Sequence, residues 1–233
     1  MFPRFLNLLL QSTPLLDPTA EPVTESANLL SVLLESGWLT MIIVGILLVL
    51  FVIACYIFLE RLAVIKAAGA EDTGFMERIR LEMSAGNMSN ARALCTTIDS
   101  PVARMVEKGL TRVGRPLRDI DAAIENVGNL EVFRLEKGLS TLASIAGAAP
   151  MIGFFGTVTG MIAAFYEMSV AENITPDVLA GGIYSALLTT AAGLFIGIFA
   201  FVGYNYLVAS VERVVYKMER STTEFMDLLQ EPG

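Results

Sequence analysis

A chain of 233 residues with 54% hydrophobic side chains, 17% charged ones and a mean hydropathy of +0.61 is too apolar for an average soluble domain, which is about a quarter charged. The net charge of −8 comes from dispersed acidic residues with no basic patch, which argues against nucleic acid as a partner. Histidine is absent, which removes the commonest metal ligand and the usual proton shuttle near neutral pH, so no metal site and no cofactor is expected.

Residues 1–35 hold one basic residue, Arg4, and open with MFPRFLNLLLQSTPLL. That opening is like a signal peptide, but its apolar run is short and no convincing small-residue cleavage site follows. It reads as an interfacial helix on the outer face, with a cleaved signal as the alternative. Pro14, Pro18 and Pro22 then make a linker. Residues 36–59 are a first transmembrane helix, 24 residues without a charge, with Trp38 and Tyr56 near its two ends where amphipathic rings settle. Cys55 lies within it and Cys95 in the loop beyond; a disulfide has no oxidising compartment there, and both read as ordinary thiols.

Residues 60–137 form a cytoplasmic helical domain. The helical period of the first span continues through Leu62, Ile65 and Lys66 and is expected to break at Gly69 or Gly74. Phe75, Ile79, Leu81 and Met83 predict one amphipathic stripe, and Met88, Ala91, Leu94 and Cys95 predict the next. Ser100 before Pro101 is a helix start, because serine accepts an orphan N–H and proline needs none at the first position. The helix that follows carries Val102, Met105, Val106 and Leu110 and stops near Gly114. From Leu117 the pattern Ile120, Ile124, Val127, Leu130, Phe133, Leu135, Leu139, Leu142 runs on as one long helix into the second span.

That second transmembrane helix covers residues 138–166, 29 without a charge; residues 167–177 make a short outer loop, where Thr175, Pro176 and Asp177 cap the next helix. The third span, residues 178–211, is 34 residues without a charge, and residues 212–233 continue it as a C-terminal helix through Val214, Met218, Phe225 and Leu229. Twelve of the 16 basic residues lie between 60 and 137, three beyond 211 and none in the 167–177 loop. Basic residues are retained in the cytoplasm, which places the N-terminus outside and the C-terminus inside. The expected fold is an all-α membrane protein with three transmembrane helices, two of them long and extending into the cytoplasm as a helical bundle.

In the second span Gly153, Gly156, Thr157, Gly160 and Ala164 share one side, and in the third Ala186, Thr190, Gly193, Gly197 and Ala200 share another. Small residues at this spacing let helices approach closely, and Pro150 frees a carbonyl and bends its helix. Thr157, Thr159, Ser185, Thr189 and Thr190 add hydroxyls to faces otherwise lined by Gly and Ala. A lone hydroxyl satisfies itself on its own helix, but a cluster meeting around an axis would make a narrow polar lumen. No Asp, Glu, Lys or Arg lies in any span. A proton relay displays an intramembrane ionisable group, so the carboxylate would have to come from a second subunit.

LASIAGAAPMIGFFGTVTGM followed by GGIYSALLTTAAGLFIGI resembles the ExbB/TolQ/MotA proton-channel family. GNMSNARALCTTIDSPVARMVEKGL and YNYLVASVERVVYKMERSTTEFMDLL are similar to ExbB and TolQ as well, so the likeness runs from about residue 38 to residue 229. Three spans rather than four favour the ExbB/TolQ branch over the flagellar stator. The resemblance implies a homopentamer in the bacterial inner membrane. Its central pore encloses a dimer of an ExbD-like or TolR-like single-span partner that supplies the titrating aspartate. It implies a TonB-like protein as output, with Thr157 and Thr190 at the family's pore positions. ExbB proteins often carry glutamate where Ser185 stands, which leaves open whether Ser185 with Tyr184 supports a water chain instead. The function so implied is a proton-channel subunit energising TonB-dependent outer-membrane transport. A TolQ-like role in envelope constriction and a non-conducting scaffold are the alternatives. An enzyme is disfavoured, because no nucleophile with a base, no intramembrane carboxylate pair and no Gly-rich phosphate loop is present.

Overall fold

The computed structural model describes residues 38–70, 74–170 and 176–230, with side chains from residue 180 onward in the last stretch. The expected interfacial helix at residues 1–16, the proline linker and the Thr175–Asp177 cap lie outside the residues or side chains so described. Among the described residues the chain forms seven α-helices and no strand: α1 Trp38–Ala68, α2 Phe75–Ser84, α3 Met88–Thr97, α4 Pro101–Leu110, α5 Leu117–Glu136, α6 Leu139–Val170 and α7 Pro176–Gln230. Three of the rods are long and apolar enough to cross a membrane: α1, the α5–α6 pair and α7.

Helix α1 runs past Leu59 and ends at Gly69, as its period predicts. In the membrane it lies along α7 through Phe51 against Phe199 (ring centroids 5.5 Å) and Phe58 against Phe199 (6.0 Å). Edge-on aromatic pairs of this kind add to area burial. Helices α6 and α7 lie against each other along the spans, and below the membrane the short helices α2 to α4 pack with α5 around the continuation of α7. The core of that bundle is Ile79, Ala91, Cys95, Met105, Val106, Ile124, Met218 and Phe225. Phe225 is fully buried because Gly109 has no side chain: a methyl group there would lie 2.5 Å from the Phe225 ring and 2.8 Å from Ile124. Helix α4 starts as its sequence predicts, with Ser100 accepting from the Ala103 N–H at 3.1 Å and Pro101 in the first turn.

Several positions on the expected stripes do not face the core. Leu81 and Met88 are exposed, because α2 and α3 are ten-residue helices that bury only Phe75 and Ile79, and Ala91 and Cys95. On α5 the run Ile124, Val127, Leu130, Phe133 advances by threes, and each such step falls about 60° short of a full turn. After three of them the stripe has crossed to the far side, so Leu130 and Phe133 are exposed while Glu131 and Leu135 stay on the buried face with Ile120 and Ile124.

The expected single helix from Leu117 into the membrane is interrupted. Lys137 takes ψ 127° and Gly138 φ +83°, a left-handed conformation that a side chain disfavours. Helix α6 then starts afresh with Leu142 N–H on the Gly138 carbonyl at 3.2 Å.

Candidate functional site

The α6–α7 contact is built by glycine. A methyl group at Gly193 would lie 2.6 Å from the Ala149 carbonyl oxygen, one at Gly153 2.8 Å from the Thr189 carbonyl oxygen and one at Gly156 2.5 Å from the Thr189 hydroxyl. Gly160 meets Ala186 in the same way at 3.0 Å, and Gly182, which sequence reasoning passed over, meets Ala164 at 2.5 Å. Close approach without a side chain is what small-residue faces provide in membranes. Pro150 sits inside α6 and lacks the N–H that the Ala146 carbonyl would otherwise receive. Gly197 packs onto that spot, where a methyl group would be 2.5 Å from the proline ring and 3.2 Å from the Ala146 oxygen.

Three hydroxyls gather where the helices are closest. Thr157 and Thr190 are hydrogen-bonded to each other across the seam, with either oxygen able to donate. The Thr190 hydroxyl also reaches the Gly153 carbonyl at 3.1 Å, and Thr157 reaches the carbonyls of Ala186 at 3.3 Å and Gly153 at 3.4 Å. Thr189 donates to Ala186 at 2.7 Å, with Gly153 a longer alternative at 3.3 Å. Each hydroxyl has one proton and more than one acceptor within reach, so the cluster admits several donor orders with the heavy atoms fixed.

The two sides of this cluster differ. Ile43 of α1 comes close to Gly156 and Thr189 is completely buried, so α1 closes that side. Thr157 and Thr190 are only half-buried and lie on the open side. Thr190 lines an apolar groove with Met151, Phe154 and Leu194, and Thr157 lines a second with Met161, Ile162 and Phe165. The remaining hydroxyls do not join them. Ser185 is buried on the same seam but donates to Gly182 of its own helix at 3.0 Å. Thr159 bonds back to Phe155 at 3.0 Å, and Tyr184 is nearly half exposed. Within the seam the cluster offers hydroxyl donors and carbonyl acceptors, and it holds no group that titrates near neutral pH.

A second cluster, missed in the sequence, lies below the membrane. Glu131 is 3% exposed and accepts from Arg104 Nε at 3.0 Å, Arg104 Nη2 at 2.7 Å and Arg134 Nη1 at 2.6 Å. Arg104 also pairs with Asp99, and hydrogen bonding to Glu131 is the first cause that raises the Arg104 pKa above its usual value. The readable signal was a glutamate on the Ile124–Leu135 face of α5, with an arginine three residues on.

The sequence profile described as the MotA/TolQ/ExbB proton channel family matches residues 97–220, from the end of α3 into the part of α7 beyond the membrane. A putative biopolymer transport protein ExbB homolog of Methanothermobacter thermautotrophicus is 33% identical over 120 residues, which are 52% of this chain and 42% of that protein. The Tol-Pal system protein TolQ of Haemophilus influenzae is 27% identical over 218 residues, 89% of this chain and 96% of its own. The biopolymer transport protein ExbB of Xanthomonas campestris pv. campestris is 29% identical over 108 residues, 46% of this chain and 43% of its own. The matches to the two ExbB proteins therefore span less than half of their length, whereas the match to TolQ is nearly end to end.

Proposed function

The chain belongs to the MotA/TolQ/ExbB proton channel family, and on that premise we propose that it is the conducting subunit of an ExbB-like motor that energises TonB-dependent outer-membrane transport. One observation carries the reading: the hydrogen-bonded Thr157–Thr190 pair lies on the open side of the α6–α7 seam, within spans that contain no ionisable side chain. Two half-buried hydroxyls at the edge of an otherwise apolar surface gain from a polar neighbour. Copies of the chain around an axis, a homopentamer by family likeness, would turn these open sides toward a shared lumen. A single-span ExbD-like dimer there would supply the aspartate that takes up and releases the proton. The Thr157–Thr190 pair then serves as a relay between that carboxylate and water, and its interchangeable donor order lets it accept on one side and donate on the other. The chain conducts rather than catalyses. Its place is the bacterial inner membrane, N-terminus in the periplasm and C-terminus in the cytoplasm, following the concentration of basic residues between 60 and 137.

The test is substitution without change of volume. Thr157→Val and Thr190→Val should each abolish iron-complex uptake and proton flux into vesicles, while Thr189→Val, on the closed side, keeps most of both. Intact uptake in the first two variants would leave a non-conducting scaffold as the better reading. A second reading, a TolQ-like subunit acting in envelope constriction, is favoured by the end-to-end match to the Haemophilus influenzae protein. Deletion of the gene separates them: loss of iron-complex uptake supports the ExbB-like role, and a division or outer-membrane integrity defect supports the TolQ-like one.

A further inference from the structure

Between Leu117 and Val170 the backbone is helical everywhere except at Lys137 and Gly138. The break falls where the charge-free span begins. It is not forced by crowding, since a methyl group at Gly138 would meet only Ile57, at an ordinary 3.5 Å. The constraint is the backbone angle, φ +83°, which favours glycine and which asparagine tolerates better than other side chains.

The charged support of the break lies on the α5 side. With Lys137 turned to ψ 127°, the Gly138 N–H no longer points at the Arg134 carbonyl as in an unbroken helix. That carbonyl accepts instead from Arg61 of α1, at 3.2 Å, and Arg61 is buried and paired with Glu60. A cation at the C-terminal end of α5 also complements the helix dipole there. One turn lower, Glu131 ties α5 to α4 through Arg104. Helix α5 is therefore fixed to α1 and α4 by charged hydrogen bonds up to the last turn before the break, whereas α6 beyond it is held by apolar packing, through buried Leu139, Leu142 and Ile145 and its glycine seam with α7.

We infer that Gly138 is a joint on which the membrane part of α6 tilts against α5, with Arg61 and Glu131 as the positioning residues that hold α5 still. The inference rests on the channel reading. The Thr157 hydroxyl sits on the tilting side, so its distance from Thr190 and from a carboxylate in the lumen would change without disturbing the cytoplasmic bundle.

The experiment uses the intact membrane complex purified through the full chain, with Cys55 and Cys95 changed to alanine and spin labels at Glu125→Cys and Ser144→Cys. Gly138→Ala should straighten α5–α6, moving the label separation toward the ~28 Å of an unbroken 19-residue helical interval in a narrowed distribution. It should also lose most of the proton flux into vesicles. Gly138→Asn, which keeps the backbone angle, should retain both the wild-type distribution and the flux. Wild-type distances or flux in Gly138→Ala would overturn the joint, and so would a Gly138→Asn protein as impaired as Gly138→Ala. Thr190→Val serves as the control: lost flux there beside unaltered flux in Gly138→Ala sinks the joint alone, and unaltered flux in both sinks the channel reading.

Discussion

Helix α7 and the α5–α6 pair both run from the membrane into the helical bundle beyond it, and they do it differently. Helix α7 is one rod of 55 residues, whereas α5 and α6, of 20 and 32 residues, meet at a left-handed glycine. Both rods carry a glycine near the end of the apolar stretch that faces the helical bundle, Gly138 in one and Gly203 in the other. Gly203 stays helical and presses its backbone onto Phe58 of α1, where a methyl group would sit 3.0 Å from the ring. Gly138 breaks its helix, and Arg61 takes up the Arg134 carbonyl that the break releases. The difference teaches that glycine permits a break but does not decide it: a partner for the freed carbonyl does. If Gly138 is a joint, a tilt of the continuous rod reaches the helical bundle beyond the membrane while a tilt of α6 stops at the break.

That contrast can be broken most strongly at the far end of the continuous rod. Phe225→Ala removes the ring that anchors α7 between Gly109 and Ile124, and a buried Phe→Ala change costs about 3–5 kcal/mol. Thermal unfolding in detergent should show the loss, with early proteolysis of the helical bundle beyond the membrane. On the jointed side, Glu131→Gln leaves Arg104 and Arg134 without their carboxylate. Breaking a buried pair typically costs ~3–5 kcal/mol, but both guanidinium groups here keep contact with water, and a loss of about 2 kcal/mol is expected in the same measurement. Between the rods, Gly193→Ala forces a methyl group against the Ala149 carbonyl and should cost about 1–3 kcal/mol. Its sharper readout is proton flux, which should fall as the seam spreads and the Thr157–Thr190 bond lengthens.

Much of this was legible in the sequence, because the strongest signals were long and chemically uniform. Three charge-free stretches define the spans, Ser100–Pro101 defines the start of α4, and the Gly and Ala spacing defines which sides of α6 and α7 hold so many small residues. What was not legible depended on the third dimension. The break at Gly138 follows a helical pattern that never falters in sequence, and it exists because Arg61, 73 residues before Arg134, comes to its carbonyl. The apolar stripe gave Glu131 no role, whereas the drift of i+3 steps puts Leu130 and Phe133 outside and Glu131 within reach of Arg104. Among the hydroxyls, sequence grouped Thr189 with Thr190. Adjacent helical residues point about 100° apart, so α1 closes over one and leaves the other on the open side.

The smallest effect reports on whether the jointed rod's anchor holds the whole bundle. Cys95 lies on α3, buried to 3% exposure, and burial followed by the negative charge of Glu107 pushes its thiol from the ordinary 9.0 up to about 12. Because the folded value is raised, the group leaves stability unchanged below pH 9 and erodes it only as pH climbs from 9 toward 12. The thiolate is the nucleophile, so at pH 8 the folded chain should react with a water-soluble maleimide far more slowly at Cys95 than the unfolded chain does. Helix α3 is tied to α4 by Arg92 with Glu107 at 3.7 Å, and α4 is tied to α5 by Arg104 with Glu131. If that series holds the short helices in place, Glu131→Gln should speed the labelling of Cys95 while Gly138→Asn leaves it unchanged. Equal rates in Glu131→Gln and the parent would mean that apolar packing alone keeps α3 in place, and the ion cluster would then act only on α5.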